Sequence, residues 1–196
     1  MTMPLDASSD LSDEDLLDAF ARGDRAAARV LTLRLTPRVL AHAGRLLGSR
    51  AEAEEVAQEA MLRLWRQAAN WRAGEARLTT WLYRVVANLC IDRQRRARGG
   101  TVALDAVPEP RDPARDAPAR MQDRARAEAL QAALAQLPAR QRQAVVLRHI
   151  EGCANPEIAE IMETTVEAVE SLTTRGRRAL TRALAARKEE LGYVDE

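Results

Sequence analysis

Residues 80–99 read TWLYRVVANLCIDRQRRARG, and their pattern predicts one amphipathic helix with three distinct surfaces. Apolar residues recur at helical spacing and predict a face that packs in a core: Leu82, Val85, Val86 and Leu89. Asn88 and Asp92 lie one turn apart on a polar face that can hydrogen-bond base edges. Arginines that suit phosphates follow: Arg93, Arg95, Arg96 and Arg98. The combination is typical of nucleic-acid binding, single strands included, although a helix with a solvated basic end has the same pattern.

The composition indicates a globular protein whose charges are segregated along the chain. Its 196 residues can form one large domain or two small ones, and 46% of them are hydrophobic. The formal net charge is only +1, but residues 1–21 carry six acids and residues 150–170 carry six glutamates, with no base in either stretch. Residues 172–188 carry five arginines and one lysine without any acid. Charges separated in this way allow one face to bind nucleic acid and another to bind a different partner.

The sequence has no pattern typical of catalysis or metal binding. Cys90 and Cys153 lack CxxC spacing and are distant in sequence from His42 and His149, so we expect neither a metal site nor a disulfide. We find no nucleophile–base set or phosphate-binding loop, and therefore expect no enzymatic activity and no cofactor. The sequence also has no signal peptide and no apolar run long enough to span a membrane, which predicts a cytoplasmic protein without membrane insertion.

Apolar residues at helical spacing, together with capping residues and the Gly and Pro residues that interrupt helices, predict an all-α chain. It has two small helical domains joined by a flexible linker. The expected parts are a disordered tail at residues 1–11, a first domain at 12–99, the linker at 100–123, a second domain at 124–187 and a second tail at 188–196. The pair Gly99-Gly100 interrupts the helical pattern where the linker begins, and four prolines lie among the linker's charged residues and alanines: Pro108, Pro110, Pro113 and Pro118. It is too long for an ordinary loop within one compact domain.

Capping residues predict where individual helices begin and end. Ser12, Asp24 and Thr79 each precede a helical pattern, and residues 49–52 form a capping box. Gly48 is expected to end the second helix, which Pro37 would bend. The third helix is expected to run to about residue 69. In the second domain we expect helices at about 124–136, 139–150, 156–162 and 166–187.

The second domain has the pattern of a helix-turn-helix. Asn155 is expected to cap a short helix that runs to Met162, and a tight turn at Glu163 and Thr164 leads to a longer amphipathic helix. Thr164 with Glu167, or Thr165 alone, is expected to cap this longer helix. A plain helical hairpin in a bundle core is the alternative.

The longer helix of such a motif lies in the major groove and reads bases with its N-terminal half. Here that half offers four residues to the bases: Glu167, Glu170, Ser171 and Thr174. Three arginines follow at positions that suit phosphate contacts: Arg175, Arg177 and Arg178. This cluster of positive charge favours DNA binding over the plain hairpin.

Several stretches resemble the extracytoplasmic-function (ECF, group IV) sigma factors of bacterial RNA polymerase. Residues 51–65, AEAEEVAQEAMLRLW, and residues 80–92, TWLYRVVANLCID, resemble region 2 of that family. Residues 137–142 (LPARQR), residues 147–152 (LRHIEG) and residues 156–180, which begin PEIA and end RGRRAL, resemble region 4. The motifs follow the family's order and spacing and cover most of the chain apart from its ends and the linker.

The resemblance implies a factor that binds RNA polymerase core and directs it to promoters without enzymatic chemistry of its own. Region 2 would dock on the clamp helices of the largest polymerase subunit and open the −10 element. Region 4 would bind the flap of the second-largest subunit and read the −35 element. Because such factors are commonly held inactive by an anti-sigma factor, the expected partners are polymerase core, promoter DNA and an anti-sigma factor.

By position, Glu55, Gln58 and Glu59 match the polar helix face that meets the clamp helices in the family. A solvated helix face is the alternative. We prefer the partner interpretation because Gln58 and Glu59 sit beside Val56 and Leu62, which are both expected to face the core.

The loop at residues 70–79 matches the family's specificity loop, which takes a flipped −10 base, and Asn88 and Asp92 lie near that loop in the family. The expected −10 set comprises Trp71, Asn88, Asp92, Arg93, Arg95 and Arg96. Asp92 can equally cap or pair with Arg95 or Arg96. The tryptophans are expected to pack in the core of the first domain rather than to stack on bases: Trp65, Trp71 and Trp81.

The sequence departs from the family pattern at three places. Where the family often has Lys and Arg in the recognition helix, this chain has Glu170 and Leu172. The −35 promoter sequence that it recognises therefore cannot be inferred from its relatives. The turn position often filled by Gly is Glu163, which is expected to strain the turn or change its form. The early helix has leucines where the family usually has aromatic residues: Leu31, Leu33 and Leu35.

Two other protein classes compete with the sigma-factor hypothesis. A helix-turn-helix transcriptional regulator that acts without polymerase would explain residues 137–180 but not the clamp-like helix at 51–65. A helical adaptor or an anti-sigma-binding mimic, which uses protein surfaces only, would leave both arginine clusters unexplained.

Overall fold

A computed structural model describes residues 11–72, 77–99 and 118–185. The described residues form helices and no strands, which confirms the predicted all-α class. The N-terminal helices are α1 (Asp13–Ala21), α2 (Arg25–Leu47), α3 (Arg50–Gln67) with a 3₁₀ turn at Ala68–Asn70, and α4 (Leu78–Gly99). The C-terminal helices are α5 (Pro118–Ala135), α6 (Ala139–His149), α7 (Asn155–Ile161) and α8 (Val166–Ala185).

The chain divides into two compact units: the first comprises Met1–Gln94 with Glu160–Met162, and the second comprises Arg95–Ala159 with Glu163–Glu196. Helix α5 begins at Pro118, so residues 118–123 of the expected linker are helical, with proline at the first position, where its missing N–H costs nothing. Residues 100–117 and the expected tails at 1–10 and 186–196 lie outside the described residues. The proposed domain boundaries stay predictions.

Local capping signals place three helix starts as expected. The Ser12 hydroxyl accepts a hydrogen bond from the backbone N–H of Asp15 at 3.1 Å, and the Asp24 carboxylate accepts one from Ala26 at 2.8 Å. The Ser49 hydroxyl accepts from the N–H of Glu52 at 3.4 Å. Each side chain satisfies an N–H that the first turn of a helix leaves without an intrahelical partner.

The predicted cap of α4 is wrong. Thr79 lies inside the first turn of α4, which begins one residue earlier at Leu78. The backbone N–H of Leu78 instead donates to Oε1 of Glu14 at 2.8 Å. Because Glu14 lies on α1 and is 64 residues away in sequence, no local signal could have identified it.

The core of the N-terminal unit is made by helices α1 to α4. Its largest fully buried apolar side chains are Leu16, Leu17, Leu31, Leu35, Leu64, Leu78 and Leu82. The three tryptophans are half-buried at its edge: Trp65 meets Phe20 edge to face with ring centroids 4.9 Å apart, and Trp71 meets Trp81 in the same way at 6.0 Å. Such edge contacts are favourable between aromatic rings, so the tryptophans pack against other aromatic side chains at the edge of the core and not inside it.

The C-terminal unit depends on a close approach of α6 and α8 at Gly176. Gly176 is buried, and a Cβ atom at this position would lie 2.5 Å from Cγ2 of Val145 and 3.2 Å from the carbonyl oxygen of Gln141. Contacts this short are repulsive, and one of the two contacted atoms belongs to the backbone. Glycine therefore sits in the middle of α8 because the facing helix leaves no room for a side chain.

We expect Gly176→Ala to lower the free energy of unfolding of this unit by about 1–3 kcal/mol, because the added methyl group overpacks the α6–α8 contact. Hydrogen exchange at the amides of α6 and α8 measures the loss. Thr181→Ala, at an exposed position further along α8, is the control and should change stability by less than about 0.5 kcal/mol. Equal protection in the two variants would contradict the packing argument.

The turn between α7 and α8 takes a left-handed conformation at Glu163, whose φ is 49°. A backbone hydrogen bond from the N–H of Thr164 to the carbonyl of Ala159, 2.9 Å long, closes the turn. A residue with a Cβ atom is strained in this region of φ/ψ space. The expectation from the sequence is therefore confirmed, since the turn forms with a non-glycine residue at positive φ.

We expect Glu163→Gly to raise the free energy of unfolding of the C-terminal unit by about 0.5–1 kcal/mol, since glycine adopts positive φ without the Cβ penalty. Denaturant titration followed by circular dichroism measures the gain. The matched control is Glu160→Gly, at an exposed position inside α7, which should lower stability by about 1 kcal/mol. Destabilisation by both substitutions would refute strain at Glu163.

Candidate nucleic-acid interface and partner-binding face

The predicted polymerase-binding residues lie on the outer face of α3. Glu55 and Gln58 are exposed and Glu59 is half-buried. The opposite face of α3 is buried in the core of the unit and comprises Ala53, Val56, Ala57, Ala60, Met61 and Leu64. Burial of that face, dictated by the helical repeat of apolar residues, directs the polar strip outward.

Two ion pairs hold the acids of this strip. Nε of Arg63 donates to Oε1 of Glu59 at 2.8 Å, and this hydrogen bond holds the pKa of Glu59 below its usual value. Nη2 of Arg93 donates to Oε2 of Glu55 at 2.6 Å. The second pair joins α3 to α4, so the structure brings together a predicted polymerase-binding acid and a predicted DNA-binding base.

A groove of about 330 Å³ lies beside the strip, between α2 and α3. It is lined by Thr36, Leu40, Glu54, Ala57, Gln58, Met61, Leu62 and Trp65. The prediction that Leu62 faces the core is wrong, because Leu62 is 42% exposed and lines this groove, whereas Val56 is buried as expected. An apolar groove with a polar edge suits the docking of another protein's helix.

The predicted −10 residues on α4 line its outer side. Asn88, Asp92, Arg95 and Arg96 are exposed. Arg93 is half-buried beside Glu55, with 29% of its side chain exposed. Within the described residues, Asp92 makes no ion pair with Arg95 or Arg96, so the pairing that the sequence left open does not form. Trp71 packs against Trp81, and residues 73–76 of the expected specificity loop lie outside the described residues.

The helix-turn-helix forms from α7 and α8, as its sequence pattern predicts. In α8 only Val169 and Gly176 are buried, and Leu172 and Thr173 are half-buried. All the predicted −35 residues are exposed: Glu167, Glu170, Ser171, Thr174, Arg175, Arg177 and Arg178. One side of the helix therefore packs against the unit, and the side that carries these residues is open to a ligand.

The start of α8 settles which residue caps it. The Thr165 hydroxyl oxygen accepts a hydrogen bond from the N–H of Ala168 at 3.3 Å. Hydrogen bonds from its own backbone N–H and from the Thr165 hydroxyl hold the pKa of Glu167 below its usual range. Glu167 thus takes part in ordering the first turn of α8 as well as facing outward.

Glu170 is held by a contact that the sequence analysis missed. Nδ2 of Asn155 donates to its Oε1 at 3.4 Å. Asn155 is not the predicted cap of α7 but the first residue within that helix, and the preceding N–H of Ala154 donates to Oε2 of Glu157 at 2.8 Å. The amide of Asn155 therefore orients a carboxylate on the face of α8 that is predicted to read bases.

The arginines of α8 place positive charge beside this face, in the second half of the helix. Nε of Arg175 donates to the carbonyl of Ser171 at 3.3 Å, a bond that does not use its two terminal amino groups. Partial burial lowers the pKa of His149, and the positive charges of Arg148 and Arg177 lower it further. Clustered cations of this kind attract phosphates.

Neither a metal cluster nor a membrane span occurs in the part of the chain that the structure describes. No group of three or more His, Cys, Asp or Glu side chains is arranged there to hold a metal ion. No helix within the described ranges is long and apolar enough to cross a membrane.

Comparison with known proteins identifies both units. Residues 31–99 match the family model for sigma-70 region 2, and residues 127–180 match the model for sigma-70 region 4. The RNA polymerase sigma-H factor of Pseudomonas aeruginosa is 34% identical over 185 residues, which cover 88% of this chain and 93% of that protein. ECF RNA polymerase sigma factor SigM of Mycobacterium tuberculosis is 36% identical over 175 residues, covering 88% and 85%.

Two solved structures have the same fold. CnrH, solved in complex with the cytosolic domain of CnrY, superposes with a TM-score of 0.64 at 25% identity and covers 89% of this chain and 97% of that one. RpoE of Bartonella quintana, solved in complex with the anti-sigma factor NepR, shares the fold with a TM-score of 0.61 at 20% identity over 80% of this chain and 96% of that one.

The chain belongs to the extracytoplasmic-function sigma factors, the family of RNA polymerase subunits that direct promoter recognition and transcription initiation. The region 2 match includes the helix at residues 51–65, which a helix-turn-helix regulator acting without polymerase leaves unexplained.

Proposed function

We propose that this sigma factor binds polymerase core through the outer face of α3, opens the −10 element with α4 and reads the −35 element with α8. The proposal is supported by two exposed surfaces in separate units. One is the acidic strip of α3, formed by Glu55, Gln58 and Glu59, and the other is the arginine-rich face of α8. The chain acts as a binding factor without enzymatic chemistry of its own. It works in the cytoplasm, where polymerase and the chromosome are.

Transcription with purified core polymerase tests this function. Mixing the chain with core enzyme and a randomised promoter library, followed by sequencing of transcript 5′ ends, should yield start sites that share two upstream sequence blocks. A chain that binds DNA but yields no specific transcript with core enzyme would support the regulator alternative. Failure to bind either core enzyme or DNA would favour a protein-only adaptor.

The proposed core-binding surface combines the acidic strip with the groove beside it. Glu55, Gln58 and Glu59 match the family positions that meet the clamp helices of the largest polymerase subunit. Gln58 also lines the apolar groove between α2 and α3. A partner helix that enters this groove would bury Leu62 and meet the neighbouring carboxylates with basic side chains.

We expect the double charge reversal Glu55→Lys with Glu59→Lys to weaken core binding about tenfold or more, because the introduced like charges repel the partner's basic groups. Titration of labelled protein with core enzyme measures the change. Asp123→Lys with Glu128→Lys, at two exposed positions on α5, is a control for the same change in net charge. Charge reversal at Glu55 also breaks its ion pair with Arg93. Arg93→Ala breaks that pair while leaving Glu55 in place, and it should leave core affinity within about twofold. Unchanged affinity in the double variant would contradict the proposed face.

The proposed −10 surface is the outer side of α4. On α4 it includes Asn88, Asp92, Arg93, Arg95 and Arg96, and Trp71, which precedes the helix, completes the set. Exposed amide and carboxylate groups can hydrogen-bond the edge of an unpaired base, and the arginines that follow can hold the backbone phosphates. Arg93 forms an ion pair with Glu55. Binding of polymerase at Glu55 and binding of the DNA strand at Arg93 would therefore both compete with this ion pair.

The proposed −35 surface is the exposed face of α8, where two classes of residue have different roles. Glu167, Glu170, Ser171 and Thr174 face the groove and specify sequence. Arg175, Arg177 and Arg178 hold phosphates, which contributes affinity for any sequence. A carboxylate such as that of Glu170 can accept a hydrogen bond from cytosine N4.

Replacement of either class should therefore have a distinct effect. Arg175→Ala or Arg178→Ala should weaken binding to all sequences and reduce the salt slope by about one unit each. Glu170→Lys should change which −35 bases are preferred, with about 1–3 kcal/mol at stake for each base that is no longer hydrogen-bonded. Binding to a randomised −35 library at several salt concentrations measures both effects. A uniform gain in affinity by Glu170→Lys, with the preferred bases unchanged, would exclude groove reading by this residue.

Control by an anti-sigma protein is the remaining part of the proposal. The structural relative RpoE was solved with an anti-sigma factor bound, and the same fold is present in this chain. An anti-sigma protein that covers the acidic strip and the α2–α3 groove would exclude polymerase core by direct competition. Its addition should then release the sigma factor from core enzyme.

A further inference from the structure

Helix α1 carries an acidic cluster and lies outside the residues that match region 2, which begin at position 31. Within the cluster, Asp15 accepts a hydrogen bond from the Ser12 hydroxyl at 2.7 Å, and Asp18 pairs with Arg22. These contacts are local to α1. Glu14 differs from them because its carboxylate reaches α4, where it accepts the hydrogen bond from the N–H of Leu78.

Helix α1 is fixed firmly enough to position this carboxylate. Leu16 and Leu17 are both fully buried in the core of the N-terminal unit. On the α2 side, Nη1 of Arg34 donates to the carbonyl oxygen of Leu11 at 2.8 Å and to Oδ1 of Asp13 at 3.2 Å. The start of α1 is thereby tied to α2, and Glu14 follows directly after this attachment.

The contact made by Glu14 falls where the proposed −10 surface begins. Leu78 is fully buried and is the first residue of α4, the helix that carries Asn88 and the arginines of that surface. On the other side of the expected specificity loop, Trp71 packs against Trp81 in the first turn of the same helix. Two contacts, one polar and one aromatic, therefore fix the described ends of this loop to α1 and α4.

We propose that Glu14 is a positioning residue for −10 recognition, acting by setting the start of α4 relative to α1. This inference rests on the proposed function. A carboxylate at this place makes a charge-assisted hydrogen bond to an N–H that the helix cannot satisfy internally, and its negative charge is favourable at a helix N-terminus. The start of α4 is thus held by an acid from a helix that the region 2 match does not include. Glu14 itself touches no DNA.

Three variants in the full chain, each assembled with core polymerase, test the inference. Glu14→Ala removes the acceptor, and Glu14→Gln keeps a carbonyl oxygen that can accept the same hydrogen bond. Asp18→Ala is the matched control, because Asp18 is an acid of the same helix whose ion pair with Arg22 is local. The readouts are the base preference in transcription from a randomised −10 library, the affinity for core enzyme and the affinity for −35 duplex DNA.

We expect Glu14→Ala to reduce discrimination at the −10 element about tenfold while core affinity and −35 affinity stay within about twofold. Glu14→Gln should recover most of the discrimination, and Asp18→Ala should match the wild type. An unchanged −10 preference in Glu14→Ala would overturn the inference. Equal losses of core affinity and −10 discrimination would also overturn it, since they would indicate general destabilisation. Wild-type protein that gives no promoter-specific transcripts would instead overturn the proposed function, and the inference with it.

Discussion

Burial of a single face of each helix is the constraint on which the rest of the structure depends. The units are small, so their cores can accommodate only one side of α3 and one side of α8. On α3 the buried side includes Val56 and Leu64, which directs Glu55 and Gln58 outward. On α8 only Val169 and Gly176 are buried, which leaves the recognition residues exposed. The functional surfaces are the sides of these helices that the cores do not use.

Although the net charge is nearly neutral, the charged groups lie on separate surfaces and have different roles. Acids of α1 are engaged within the N-terminal unit, where Asp13 binds Arg34 and Glu14 holds the start of α4. The acidic strip of α3 faces outward, and the cations of α8 lie in the other unit. A chain organised in this way can bind a polyanion and a basic protein surface with different faces. The Glu55–Arg93 pair joins two of the predicted surfaces, and its exposed setting makes it weak enough to exchange partners.

Most features that depend on neighbouring residues were predicted from the sequence, although the caps expected at Thr79 and Asn155 were wrong. Helix starts at Ser12, Asp24 and Ser49, the exposed faces of α3 and α8, and the strained turn at Glu163 all follow from patterns within a few positions. Contacts between residues distant in sequence were missed. The Glu14 cap on α4 spans 64 residues, the Glu55–Arg93 pair spans 38, and the lack of room at Gly176 arises from Val145 on another helix. Leu62 was misassigned because an apolar residue beside a core face can equally line a groove.

Site-specific photo-cross-linking tests the central claim, that the open side of α3 meets polymerase and the open side of α8 meets DNA. A photoreactive residue is placed at position 58 or at position 171, both exposed, in the complex of this chain with core enzyme and a promoter. The account predicts that position 58 cross-links to the largest polymerase subunit and that position 171 cross-links to promoter DNA at the −35 element. Cross-linking of position 58 to DNA, or of position 171 to the largest subunit in place of DNA, would contradict it.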